Sequence, residues 1–205
     1  MNRTTTVTAR AVSYVLQPIF IPTFGIIMLL TGDAALSILP AAYRISIAAA
    51  IFITTGVVPA LIVLLGMMTG NVSDGFISQR RERTWPYIVS LLGYTGCCLW
   101  LWHIHMPQFY IAPMIGSTIS LMLITIINLW WKISAHGASM GGLAGGIIAW
   151  SILSGTDPLW LICLTILLGG IVGWSRILLK AHTPAQYCCG WLLGFISVAT
   201  SWLLV

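Results

Sequence analysis

The chain has 205 residues, of which 59% are hydrophobic and only 6% are charged, and its mean hydropathy is +0.98. Soluble domains carry about 25% charged residues, so this composition excludes a soluble globule and predicts an integral membrane protein whose main solvent is lipid. The net charge of +5 comes without any basic run longer than RRER at 80–83, which indicates anchoring at lipid headgroups and excludes nucleic acid as a partner.

Seven apolar segments reach or approach the ~20 residues that a helix needs to cross the hydrocarbon core. They lie at 11–30, 45–68, 87–106, 110–131, 137–154, 159–179 and 185–205. The first segment is too long for a signal peptide and lacks a small-residue cleavage site, and Pro18 and Pro22 predict a kink within it. We expect an all-α bundle of six to seven transmembrane helices, with 1–205 as one membrane domain.

The polar residues gather in three loops, RRER at 80–83, KISAH at 132–136 and KAHTPAQ at 180–186. Two predicted spans separate each loop from the next, so all three face one side of the membrane. This parity requires that the fifth segment, the shortest, is a true crossing and not a re-entrant loop. The positive-inside rule favours the cytoplasmic side, although arginines that serve a binding site would not count towards it.

The fifth segment carries glycines at four-residue intervals, Gly137, Gly141 and Gly145. Such a stripe allows the backbone of another helix to approach closely, as in small-xxx-small interfaces. Its alternative interpretation is space for a lipid tail beside His136.

Two predicted helices begin at polar loops that contain histidine. Thr183 followed by Pro184 predicts an N-cap with proline at the first helical position, which puts His182 at a helix N-terminus. Ser134 or His136 begins the glycine-rich helix in the same way. Free N–H groups at two helix N-termini, together with Arg176 and the RRER arginines, predict a cradle for phosphate.

Two imidazoles beside a phosphate cradle suggest phosphoryl-transfer chemistry. One can attack phosphorus while the other protonates the leaving oxygen. Neither histidine has a carboxylate or cysteine at metal-ligand spacing, so we expect no metal site. The five cysteines lie inside apolar segments and are interpreted as packing residues, and we expect no cofactor.

These loops resemble the signature of the type 2 phosphatidic acid phosphatase superfamily, whose membrane members are lipid phosphatases. Its third block, Ser-Arg, five residues and His, is matched by Ser175, Arg176 and His182. Its second block, Pro-Ser-Gly-His, is matched in part by Ser134 and His136. The resemblance runs from about residue 70 to the end of the chain, with the motifs inside 74–190.

The first block of the family, Lys, six residues and Arg-Pro, is matched least well. Arg81 and Arg83 are present, but two residues separate Arg83 from Pro86, and Phe76 stands at the Lys position.

The resemblance implies a role for each matched residue. His182 would be the nucleophile that forms a phosphohistidine, and His136 would be the acid for the leaving alcohol. The remaining matched residues would bind the phosphate oxygens without a metal. They are Arg81, Arg83, Ser134 and Arg176.

One departure from the family concerns the residue three positions after the nucleophile. The family has Asp there to orient the histidine, whereas this chain has Gln186. A Gln carbonyl could still accept the ring N–H, and Asp74 or Glu82 could supply a replacement carboxylate.

Three hypotheses follow for a multi-pass protein of a bacterial-type inner membrane. The first is a metal-independent phosphatase of a phosphorylated membrane lipid, either a phosphate or a pyrophosphate. The second is a pseudophosphatase that binds or translocates such a lipid without hydrolysis. The third and weaker hypothesis is a small transporter that depends on the arginines and not on His182.

Overall fold

The computed structural model describes residues 3–205, and this part of the chain contains helices and no strand. The ten α-helices are α1 (Arg3–Val15), α2 (Ile21–Gly32), α3 (Ala34–Ser37), α4 (Ala41–Phe52), α5 (Val58–Met68), α6 (Thr84–His103), α7 (Gln108–Ile127), α8 (Ala135–Ser154), α9 (Leu159–Leu178) and α10 (Pro184–Leu203). A π-helical turn, Ile53–Val57, makes α4 and α5 nearly continuous. The expected all-α bundle of a membrane protein is confirmed.

Within residues 3–205, five helical stretches are long and apolar enough to cross a membrane, so the expected count of six to seven is wrong. They are Arg3–Gly32, Ala41–Met68, Gln108–Ile127, Ala135–Ser154 and Leu159–Leu178. The two predicted spans that fall short, α6 and α10, also have 20 residues each. Their Trp, Tyr, Gly and Pro residues reduce the mean hydropathy. The two helices are therefore long enough to be counted as spans but not apolar enough.

The predicted kink in the first span is present as a complete break. Helix α1 ends at Val15, Gln17 is extended with ψ 139°, and a 3₁₀ turn begins at Pro18. Proline has no N–H to continue the helical hydrogen bonds. The Val12 carbonyl still accepts the N–H of Leu16, whereas the Ser13 carbonyl in the same last turn of α1 is free for another donor.

The glycine-rich helix α8 lies at the centre of the bundle. Of its most apolar window, 61% is buried, compared with 28–39% for the other candidate spans. A Cβ atom built on Gly137 or Gly145 would lie 2.5 Å from a carbonyl oxygen of α10, that of Tyr187 or Phe195. The stripe therefore packs directly on the backbone of α10, as predicted, and the N-termini of the two helices lie side by side.

Candidate functional site

The three polar loops contribute to one cavity of about 370 Å³. Its wall contains Arg83, His136, Arg176 and His182, together with the α1–α2 junction at 17–20 and part of α5. Four of the seven residues that the sequence suggested are thus brought together.

His182 lies just before the N-terminus of α10 and is buried, with 6% of its surface exposed. Its Nδ1 is 3.2 Å from the main-chain oxygen of Lys132. Because a carbonyl can only accept, Nδ1 carries the hydrogen, and Nε2 is left with its lone pair. This is the tautomer that a nucleophilic imidazole needs.

The electrostatic surroundings keep this imidazole neutral. Burial has the largest effect, followed by the positive charges of Arg83, Arg176 and Lys132, and together they lower the pKa of His182 to about 3. An ordinary histidine has a pKa of about 6.5. At neutral pH the imidazole of His182 is therefore uncharged and lies among the positive charges of Arg83, Arg176 and Lys132.

The carbonyl that orients His182 belongs to a loop held from two sides. Arg80 Nη1 donates to the Asn128 oxygen at 2.8 Å, and Asn128 Nδ2 donates back to the Arg80 oxygen at 3.1 Å. At the other end of the loop, Ser134 N donates to the main-chain oxygen of Gln186 at 3.1 Å. The Lys132 carbonyl is thus fixed between the start of α6 and the start of α10.

Gln186 does not orient the ring, contrary to the role considered for it. Its Oε1 accepts the N–H of Thr183 at 3.1 Å, and its own N–H donates to Thr183 Oγ1 at 3.3 Å. This reciprocal pair is a capping box with Pro184 at the first helical position, so the predicted start of α10 is confirmed. The Gln186 side chain therefore caps α10, and the Lys132 carbonyl accepts the hydrogen bond from the His182 ring.

His136 is the second residue of α8 and is also buried. Its Nε2 lies 3.2 Å from the main-chain oxygen of Ser13, one of the carbonyls freed by the break after α1. By the same argument, Nε2 carries the hydrogen and Nδ1 is available to a ligand. Sequence reasoning missed this contribution of α1, although the proline at position 18 was a signal for free carbonyls before it.

A hydroxyl pair fixes α1 against α9 beneath the two histidines. The Oγ atoms of Ser13 and Ser175 are 2.6 Å apart, and Ser175 Oγ donates to the Ala9 oxygen at 2.8 Å. The serine of the Ser-Arg motif therefore holds the helix whose Ser13 carbonyl orients His136.

Ser134 was expected to bind phosphate oxygens, but its side chain has a different task. It is fully buried and caps α8, with Oγ accepting from Gly137 N at 3.1 Å. The cavity wall is formed instead by the next two residues, Ala135 and His136. The cap interpretation of Ser134 is confirmed, and its direct contact with a ligand is not supported.

Arg83 and Arg176 supply positive charge from inside the protein. Their exposed fractions are 3% and 2%. Arg83 Nε donates to the Ile77 oxygen at 2.8 Å, whereas Arg176 Nε has no hydrogen-bond partner within residues 3–205. The Arg176 guanidinium lies over the ring of Phe76, 5.1 Å from its centre, so the residue at the family's Lys position makes a cation–π contact.

The remaining charged candidates, Arg81, Asp74 and Glu82, do not line the cavity. Arg81 is exposed and is not part of the cavity wall. The Asp74 carboxylate accepts the N–H of Phe76 at 2.8 Å, and Glu82 accepts the N–H of Ser73 at 2.8 Å. Both carboxylates thus stabilise the loop before α6, and neither serves as the acceptor for His182.

Comparison of the chain with protein-family models, with curated proteins and with solved structures found no match.

Proposed function

We propose that the protein is a metal-independent phosphatase of a phosphorylated membrane lipid, acting through a phosphohistidine at His182. The lipid is a phosphate monoester or a pyrophosphate, and its headgroup occupies the cavity of about 370 Å³. The proposed location is a bacterial-type inner membrane, consistent with the multiple apolar helices.

The observation that carries the proposal is the buried positive charge of the cavity. Arg176 is 2% exposed, and its Nε is buried without an acceptor in the described part of the chain. A buried guanidinium donor without an acceptor is costly unless a ligand pairs with it. A phosphate group supplies the acceptors and the negative charge, and arginine binds it through a planar fork of donors.

The two histidines support a chemical sequence in which every proton has a place. The phosphate group enters carrying one proton, which passes to the free Nδ1 of His136. Nε2 of His182 then attacks phosphorus as the bond to the leaving oxygen breaks, and Nδ1 of His136 gives this proton to that oxygen. Water then attacks phosphorus as the bond to Nε2 of His182 breaks, and Nδ1 of His136 takes a proton from the water and passes it to the released phosphate, which restores both neutral imidazoles.

Binding without turnover is the alternative, and one observation favours it. The acceptor at His182 Nδ1 is a neutral carbonyl and not a carboxylate, so it stabilises a positive imidazolium less well. A pseudophosphatase with the same cradle would bind lipid phosphate and release none.

Phosphate release from purified protein tests the two alternatives. We expect release from at least one lipid phosphate in the presence of EDTA, and a loss of at least about 1000-fold in His182→Ala, which lacks the nucleophile. His136→Ala should lose about 10²–10⁴-fold, the usual contribution of a general acid.

His103→Ala is the matched control, because His103 is exposed at the opposite end of α6. It should retain full activity. Tight, arginine-dependent binding of lipid phosphate without release from any member of a broad lipid panel would establish the pseudophosphatase instead.

A further inference from the structure

A second and larger cavity lies inside the helical bundle. It has a volume of about 460 Å³ and lies mainly among α2, α7 and α8, with walls that are largely apolar. It is bounded by Pro18 and Ala135 at one end and by Gly32, Tyr110 and Trp150 at the other. We call it the tail slot.

The tail slot begins where the phosphate cavity ends. Pro18 and Ala135 line both cavities, and the next residue along α8 is His136. The two cavities therefore adjoin, and a phosphate held beside His136 lies next to the apolar space. The apolar walls match a hydrocarbon chain, for which burial is favourable.

The length of the slot exceeds one leaflet of a bilayer. Ala135 and Trp150 are separated by fifteen residues of continuous helix, which corresponds to about 22 Å at ~1.5 Å per residue. Half of a hydrocarbon core measures only about 15 Å. The slot therefore accommodates an extended chain longer than half of the hydrocarbon core.

The volume of the slot corresponds to one chain. At ~30 Å³ for a group the size of water or methylene, the cavity of about 460 Å³ holds roughly 15 such groups. This number of groups matches one lipid chain of ordinary length.

A hydrogen-bonded network closes the far end. The buried Asp33 carboxylate accepts Tyr110 Oη at 2.9 Å and Trp150 Nε1 at 3.2 Å, and it also accepts the N–H of Ala35. These contacts tie α7 and α8 to the end of α2, so the floor of the slot is fixed.

We propose that the tail slot binds the hydrocarbon chain of the substrate, and that this substrate carries a single long chain on its phosphate. The inference rests on the proposed function for the position of the phosphate. Lipids with two chains must leave one chain outside the slot, so they bind more weakly than single-chain phosphates of similar chain length.

A photoreactive alkyl phosphate tests the slot without requiring turnover. The long probe has roughly 16 carbons, in line with the number of groups that the volume admits, and the short probe has about half that length; each carries a diazirine at the chain end. We expect the long probe to label the peptide around Tyr110 or Trp150, and the short probe to label residues nearer Ala135.

Two substitutions on α7 separate the slot from the lipid-facing surface. Ser117 lines the slot midway along its length, whereas Ile119 is 39% exposed on the outside of the same helix. Ser117→Phe should reduce far-end labelling by the long probe by about tenfold or more, since its ring blocks the channel. It should leave the short probe's labelling intact, which also reports that the variant is folded, and Ile119→Phe should change neither.

The outcomes distinguish this inference from the proposed function. Far-end labelling without phosphate release supports the slot. It contradicts only the proposed phosphatase activity. Labelling confined to outward residues such as Ile119, or far-end labelling that Ser117→Phe leaves unchanged, overturns the slot even if phosphate is released. Equal binding of one-chain and two-chain phosphates overturns the single-chain preference.

Discussion

At the scale of single residues, the main-chain carbonyl of Lys132 accepts the hydrogen bond from the His182 ring. In the phosphatase superfamily that the loops resemble, an Asp carboxylate has this role. Replacing the aspartate behind a catalytic histidine with asparagine costs serine proteases about 10⁴ in rate, because the ring adopts the wrong tautomer. The Lys132 carbonyl accepts from Nδ1 of His182 and therefore holds the correct tautomer. We expect a smaller cost here, limited to the charge that a carbonyl does not provide.

Substitution of Gln186 tests this assignment of the acceptor. Because the side chain caps α10 and does not touch the ring, Gln186→Glu and Gln186→Asp should change kcat/KM by less than about tenfold, or ~1.4 kcal/mol. Phosphate release under substrate-limiting conditions gives the comparison. A gain of two orders of magnitude in Gln186→Asp alone would show that the chain lacks a required carboxylate, as the pseudophosphatase hypothesis holds.

The lowered pKa of His182 predicts a specific effect of acid on stability. The pKa is about 3 in the folded protein and about 6.5 in an unfolded chain, so the unfolded state binds more protons between these values. The free energy of unfolding must therefore rise with pH in this window and fall as the solution is acidified below about 6.5.

His182→Asn removes this titration, and its side-chain amide can still donate towards the Lys132 carbonyl. In detergent, the thermal midpoint of the wild type should fall more between pH 7 and pH 5 than that of His182→Asn. Equal falls in both proteins would mean that His182 is not held neutral by its surroundings.

At the scale of elements, the contact between α8 and α10 determines where the two histidines lie. Each helix contributes glycines to the contact, and a Cβ on Gly194 would overlap the backbone of Ala138. Since His136 and His182 lie at the N-terminal ends of this pair, a change in helix separation moves one imidazole relative to the other.

Two glycine substitutions separate packing from helix propensity. Gly194→Ala must push α10 away from α8, at a cost of about 1–3 kcal/mol, and should reduce both the thermal midpoint and phosphate release. Gly170 is exposed on α9 with no atom within 4 Å of a built Cβ, so Gly170→Ala should be neutral or stabilising by up to about 1 kcal/mol. A Gly194→Ala protein as stable and active as Gly170→Ala would contradict the close helix contact.

At the scale of the whole molecule, local signals gave the helix starts and the glycine contact correctly. Ser134, Thr183 and Pro184 determine where α8 and α10 begin because capping depends on a few adjacent residues. The glycine interval identified the packing face of α8 for a similar reason, since side-chain size alone sets how closely two backbones approach.

The sequence could not reveal the acceptors of the two histidines. Both are main-chain oxygens, of Lys132 and of Ser13, and every residue type has such an oxygen. Only the tertiary arrangement of α1, α8 and the loop before α8 selects them. The same limit explains why Gln186 was considered as the orienting residue and why the contribution of α1 was missed.

The proposed phosphatase activity depends on one covalent intermediate, the phosphohistidine at His182. Trapping this intermediate is the most direct test of the proposal. The protein is mixed with a ³²P-labelled single-chain alkyl phosphate in EDTA, denatured within the first turnover, and digested for peptide mapping. We predict acid-labile, base-stable phosphate on His182 in the wild type and in His103→Ala, and none in His182→Ala. Release of phosphate without label on His182, or label that persists in His182→Ala, would contradict the account.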